Sequence, residues 1–436
     1  MKYPIPTPHK ITGLQLYQPE IVMLDNDIRL QIINLGIQDV SRIDIVIEGG
    51  SCDGKNIFIS SLLAKTLQEG TATMTSAEIA EKLDYYGSWL SIRVSFHNTI
   101  LSLYTINRHF DKVIEVLKEI LVSPSFPEKE LLNNKQTTIN SLRNNNEKVG
   151  TLARYRFLSL FFGETHNWGR YPEAKDIEDI SSEDLLQFHR QWFKPSNIKI
   201  ILSGKVDSSM IVATNKIFGS IPQCGKPQDS NNDHPLVPFR HLTSFVNKTG
   251  ALQSAIIMAQ PTICRNHPDY IPLRILITAL GGYFGSRLVT NIREDKGYTY
   301  GITAQLMGYR NTANLYISSQ CATHYTLKVV EETQKEIRNL QLYPLSDDEL
   351  YRVKAHMLSD YSRTLDTPFT IADFHLSMIS EHIPDNYFNR HIEILESITP
   401  KQLQNIACRY LNPDKLLVVI AGNEEGIKKN VLENGR

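Results

Sequence analysis

A chain of 436 residues exceeds what one hydrophobic core ordinarily serves, so two or more packed domains are expected. Hydrophobic residues at 41% and charged residues at 21% are globular values, and 46 Lys+Arg against 47 Asp+Glu, with no basic run, exclude a nucleic-acid partner. The opening residues MKYPIPTPHKITGLQLYQPE lack the apolar segment of an export signal, no stretch reaches about 18 uninterrupted apolar residues, and five scattered cysteines form no C-x-x-C pair. A soluble cytoplasmic protein with reduced thiols and no membrane partner is the expectation.

In chain order, FISSLLAKTLQEGT (Phe58 to Thr71) has the apolar spacing of a buried helix closed by Gly70. His97 to Leu121 reads as strand, turn and long helix, and Lys135 to Lys148 as a further polar helix. Ile180 to Pro195 is a capped amphipathic helix ending at an aromatic residue and a Pro turn, followed by a buried strand closed by Gly204. The Pro/Asn/Asp/Gly-rich stretch Ile221 to Pro238 is the natural linker.

Beyond it the pattern returns. Ile398 to Pro413 and the strand closing at Gly422 repeat the capped helix, turn and strand 218 residues later (413 − 195), and Thr312 to Ile337 repeats strand, turn and long helix. The chain is therefore read as a duplicated α+β unit: residues 1–222, a linker at 223–238, and residues 239–436. Strands follow strands more than they alternate with helices, which predicts two mostly antiparallel sheets, each covered by helices on one side.

Two segments carry a resemblance. EGGSCDGKNIFISSLLAKTLQEGT resembles the zinc-helix region of the pitrilysin/insulinase/mitochondrial-processing-peptidase family, whose active members place H-x-x-E-H on that helix. Leu276 to Ile302, LITALGGYFGSRLVTNIREDKGYTYGI, is similar to the family's second-half signature: Gly-Gly, Ser-Arg-Leu, then an Arg seven residues before a Tyr with a Gly between. Leu24 to Asn34, Thr165 to Ile177 and His267 to Gly282 match the same order along the chain.

The resemblance implies two homologous α+β sandwich domains forming half of a clam-shell chamber. It also implies a vacancy: the His positions hold Ser61 and Lys65, the Glu position holds Ala64, and the third ligand's place falls at Asn140 or Ser141. A Lys ammonium beside a cation repels it, so no metal is expected in this chain. His356 with Asp360, and His375 with Glu381 and His382, offer no recognised three-ligand spacing.

In the second half, Arg293 and Tyr300 match the family's substrate-binding pair, with Gly297 between them at a left-handed position and Tyr298 expected on the same strand face as Tyr300. A guanidinium fork can grip carbonyl oxygens and a phenol can donate to an oxyanion; the competing reading pairs Arg293 with Glu294 or Asp295 and packs the tyrosines. The resemblance implies a non-catalytic, substrate-binding subunit whose partner is a homologous zinc-bearing chain, with peptides as substrates and zinc only in that partner. A structural assembly subunit, like the family's respiratory-complex core proteins, and a peptide-binding homodimer are the alternatives.

Overall fold

The computed structural model describes residues 11–228, 234–235 and 237–427, so part of the expected linker and both chain ends lie outside the described residues. In the first half, strands β1 (Glu20–Met23), β2 (Arg29–Asn34) and β3 (Val40–Glu48) lead to helices α1 (Ile59–Thr66) and α2 (Ser76–Tyr85). Strands β4 (Trp89–Val94) and β5 (Asn98–Ile106) follow, then α3 (Phe110–Val122), α4 (Glu128–Asn146), α5 (Val149–Phe162), α6 (Ala174–Glu178), α7 (Ser182–Trp192), β6 (Ile198–Gly204) and α8 (Ser208–Thr214). The second half runs β7 (Thr243–Asn247), β8 (Gln253–Pro261), α9 (Tyr270–Ile277), β9 (Thr299–Gly308), β10 (Ala313–Ala322), α10 (Thr326–Leu342), α11 (Asp347–Thr364), α12 (Pro368–Ser380), α13 (Tyr387–Ser397), α14 (Pro400–Tyr410) and β11 (Leu417–Gly422).

The strands form two mixed sheets, ordered β1-β2-β6-β3-β5-β4 and β7-β11-β8-β10-β9. Apart from the extra edge strand β1, the orders are the same, and in each sheet the last strand of the half runs parallel to the first of the shared set, β6 beside β2 and β11 beside β7. The repeated helix starts for the same reason in both halves. Ser181 accepts from the Asp184 amide and Thr399 from the Gln402 amide, each closing a reciprocal capping box. The duplication legible in the sequence is thus a duplication of topology.

The expectation of helices on one side of each sheet is corrected. Central strands β3 and β8 are buried along nearly their whole length, which no one-sided cover can achieve. In the second sheet, Ile256, Met258, Val418 and Ile420 pack beneath that half's own helices. The alternate residues Ala255, Ile257, Ala259, Leu417 and Val419 meet Ala153, Phe157 and Phe161 of α5, a helix from the first half. Reciprocally α12, from the second half, lies on β2, β3 and β6. The two halves exchange a helix.

The first half's own core includes His189 of α7, which is 7% exposed and whose Nε2 lies 2.8 Å from the Leu121 carbonyl. Burial pushes its imidazole down to about 4. Because the folded state resists protonation and the unfolded chain does not, this residue's stabilisation is complete above pH 6.5 and is lost as pH falls towards 4, by about 3 kcal/mol. His375 and His391 are depressed by burial in the same direction. Urea midpoints are expected to fall between pH 7 and pH 4.5, and less steeply in His189→Gln, which keeps a donor for the Leu121 carbonyl; identical pH slopes would discount the assignment.

Candidate functional site

Helix α1 starts after a turn in which the Gly50 amide donates to Asp53 Oδ2 at 2.8 Å. Its buried face, Ile59, Leu62 and Leu63, enters the core. Ser61 donates back to the Phe58 carbonyl at 3.0 Å, and Ala64 is buried. Lys65 reaches from α1 to α4, donating to Thr138 Oγ1 at 2.8 Å, and burial lowers its pKa below the usual lysine value.

Thr138 in turn donates to the Asn134 carbonyl, and Asn134 Nδ2 reaches Thr66 Oγ1 at 3.3 Å. The α1–α4 contact is therefore an ammonium–hydroxyl–amide chain. Ser141 and Asn140 face solvent: Ser141 donates to the Thr137 carbonyl at 2.9 Å, and Asn140 Oδ1 accepts from Gln136. Thr138, rather than either of these, meets Lys65.

Zinc needs deprotonated nitrogen, thiolate or carboxylate donors. A methyl group, an ammonium and hydroxyls turned to backbone carbonyls do not fit it. Among the described residues no group of three His, Cys, Asp or Glu side chains converges as a metal site. The histidines singled out in the sequence are engaged separately: His375 with the Tyr17 carbonyl, His382 with Glu48 and His356 with Asp360. The purified chain, dialysed against zinc and washed, is expected to retain no stoichiometric metal by mass spectrometry; one retained equivalent would show that donors other than these suffice.

In the second half, α9 runs into a π-helical turn, Thr278–Gly282. A Cβ at Gly281 would stand 2.7 Å from Ala304 of β9, so glycine permits this close approach. A second π-helical segment, Val289–Asp295, carries Arg293, and its extra residue per turn is closed by the Lys296 amide on the Asn291 carbonyl at 3.2 Å. Gly297 then takes φ +62°, the left-handed position that the spacing requires. Arg293 is half-exposed, with Nε 3.4 Å from Glu294 and its guanidinium 5.1 Å from the centre of the Phe284 ring.

Tyr298 and Tyr300 do not share a strand face. Tyr298 precedes β9 and stacks on Tyr325, ring centres 4.7 Å apart, with Lys328 alongside. Between Gln320 and Cys321 the pairing of β10 with β9 shifts from Gly301 to Thr299, leaving Tyr300 as the extra residue of a β-bulge. The hydroxyls of Thr299 and Ser319 lie 3.0 Å apart and hold the kink, with Ser319 reaching the Gly301 carbonyl. A bulge re-aims its side chain, and Tyr300 stands 90% exposed.

Tyr300 lines an open groove of about 760 Å³ whose floor is Thr303, Tyr316, Ser318 and Gln320. Lys148 and Arg154, at the start of the exchanged helix α5, form its wall. Arg293 and Tyr298 are outside this lining. Sequence reasoning missed Lys148 and Arg154 because nothing local to KVGTLARYRF indicates that α5 crosses to the other half's sheet.

Comparison with known proteins agrees with this architecture. The model for "Insulinase (Peptidase family M16)" matches residues 32–165, and that for "Peptidase M16 inactive domain" matches residues 179–357. An uncharacterized zinc protease of Rickettsia felis is 24% identical over 87% of this chain and 91% of its own length. A Helicobacter pylori protein called a non-peptidase homolog is 24% identical over 69% of this chain and 73% of its own. The crystal structure of a peptidase M16 inactive domain from Pseudomonas fluorescens superposes with a TM-score of 0.85 at 20% identity, covering 93% of this chain and 98% of that one. The two family models, the relatives and the shared fold place this chain in the M16, or insulinase, peptidase family.

Proposed function

We propose that this chain is the non-catalytic, substrate-binding subunit of a two-chain zinc peptidase, lending Arg293 and Tyr300 to the zinc domain of a homologous partner. The observation that carries the reading is Tyr300, set 90% exposed by a bulge onto an open polar groove. Its own half-site on α1 is occupied by Lys65 and Thr138, so the hydrolytic metal belongs to the other chain. Among the described residues, Arg293 is held by the adjacent Glu294 and the Phe284 ring, both of which a peptide carbonyl can displace. The groove's floor of hydroxyls and amides suits an extended peptide backbone, and Lys148 and Arg154 favour acidic substrate segments.

The test is reconstitution. This chain alone, and after mixing with a homologue carrying an intact H-x-x-E-H helix, is assayed on a fluorogenic peptide library with zinc measured in both. Hydrolysis confined to the mixture is the expected result. Hydrolysis by this chain alone would overturn the proposal, and a stable but inert complex would assign it an assembly role instead.

A further inference from the structure

A second cavity, of about 510 Å³, lies between α9, the π-turn after it, β9 and helices α11 and α12. In the repeated unit it takes the place framed by α1 and α4 in the first half, since α9 follows β8 as α1 follows β3, and α11 follows α10 as α4 follows α3. Its wall carries unbalanced positive charge. Arg274 interrupts the apolar run YIPLRILI and donates to the Tyr361 hydroxyl at 3.1 Å, with no carboxylate among the described residues at ion-pair distance.

Glu381, the carboxylate nearest in charge interaction, is already held by Arg265 at 2.9 Å. Asp360 is exposed and engaged by Arg363 and His356. The Tyr361 phenol, pushed up to about 12 by burial, stays neutral, as does His391, which burial and the two guanidiniums hold far below the usual imidazole value. Neither offsets Arg274. Arg274 is partly buried, and a guanidinium withdrawn from water without a counter-ion destabilises a fold unless something supplies one.

A second observation points at the same ligand. Tyr387 lines the cavity, is only 6% exposed, and its hydroxyl lies within hydrogen-bonding reach of Arg274 but has no well-aligned partner among the described residues. Buried hydroxyls are ordinarily satisfied.

We propose that this cavity binds a carboxylate, gripped by the Arg274 guanidinium and the Tyr387 hydroxyl. One uncompensated positive charge matches one negative charge, and the planar fork matches two planar oxygens. The carboxylate comes either from a free small acid or from a peptide. Thr303, on the edge strand β9, lines both this cavity and the Tyr300 groove on the other face of the sheet; the peptide source rests on the proposed function, whereas the free acid does not.

The experiment uses the full chain without a partner. Calorimetric titration and thermal unfolding are run with succinate, with an acetylated tripeptide acid, with its C-terminal amide and with inorganic phosphate. Binding of a carboxylate but not of the amide is expected; succinate alone would identify a free acid, and the tripeptide acid a peptide end. Arg274→Met should abolish binding, and Tyr387→Phe should weaken it about tenfold, the scale of one hydrogen bond to a charged group. Tyr387→Phe also leaves the free protein's unfolding midpoint unchanged, which keeps the test decisive if Arg274→Met fails to fold. No carboxylate binding at millimolar concentration, equal binding of acid and amide, tighter binding of phosphate, or binding undiminished in Tyr387→Phe would each overturn the assignment. Because no partner chain is present, an inert reconstituted peptidase has no bearing on this result.

Discussion

Arg293→Ala is expected to lower kcat/KM for peptide hydrolysis by the reconstituted pair about 100-fold, the scale of losing one donor to a developing oxyanion. The reason lies in where the side chain sits. The π-helical segment Val289–Asp295 and the left-handed turn at Gly297 place Arg293 at the last turn before β9. It is half-exposed with a weak ion pair to its half-exposed neighbour Glu294, so its removal leaves no buried charge behind. Surface substitutions of this kind shift stability by about 0.5 kcal/mol or less. A large loss of turnover with an unmoved urea midpoint therefore isolates function from folding. Arg293→Lys, which keeps the charge but not the planar fork, should recover only part of the rate. Tyr300→Phe should also slow the pair without touching stability, since its hydroxyl faces solvent. A change of less than about twofold in Arg293→Ala, against this scale, would end the assigned role.

How far the site could be read from the sequence depends on the range over which each signal acts. The caps at Ser181 and Thr399, the Gly297 turn and the apolar face of α1 are decided by residues within a few positions of each other, and periodicity finds them. The aim of Tyr300 is decided by Thr299 together with Ser319 across the sheet, a partnership that alternation along one strand cannot show, so Tyr298 and Tyr300 were expected on one face. The exchange of α5 and α12 is equally non-local. An amphipathic helix announces that it will cover a sheet but not which one. The usable clue was in QSAIIMAQP, whose run AIIMA is too continuously apolar for a sheet with one wet face, whereas VSRIDIVIE alternates and its Arg42 and Asp44 are buried under α12. The charge inside YIPLRILI was likewise visible, and only the fold reveals that no carboxylate among the described residues stands at ion-pair distance from it.

Helix α12 meets the first half at a buried polar junction, and Arg42→Ala there is expected to destabilise the protein by about 3–5 kcal/mol. Arg42 is 2% exposed on the β3 face that α12 covers. Its Nε meets Asp44 at 2.7 Å, Nη1 donates to the Tyr104 hydroxyl at 2.9 Å, and Nη2 spans to the Phe369 carbonyl and to Asp373 of α12. The guanidinium also lies over the Tyr104 and Phe369 rings. Truncating it strands the Asp44 carboxylate, fully buried, with Ser102 its one remaining donor among the described residues. That stranded charge, more than the lost attraction, produces the effect. The double variant Arg42→Met with Asp44→Leu removes both charges and should regain most of the stability, because a buried pair is worth little against apolar residues of similar volume. The cycle should then show a coupling of about 1–3 kcal/mol. Since Arg42 ties a strand of one half to a helix of the other, Arg42→Ala should also broaden urea unfolding towards two transitions as the halves uncouple. A single sharp transition with less than about 1 kcal/mol lost would show instead that the packing of α5 and α12, with the Arg310–Glu48 ion pair, holds the halves together without this junction.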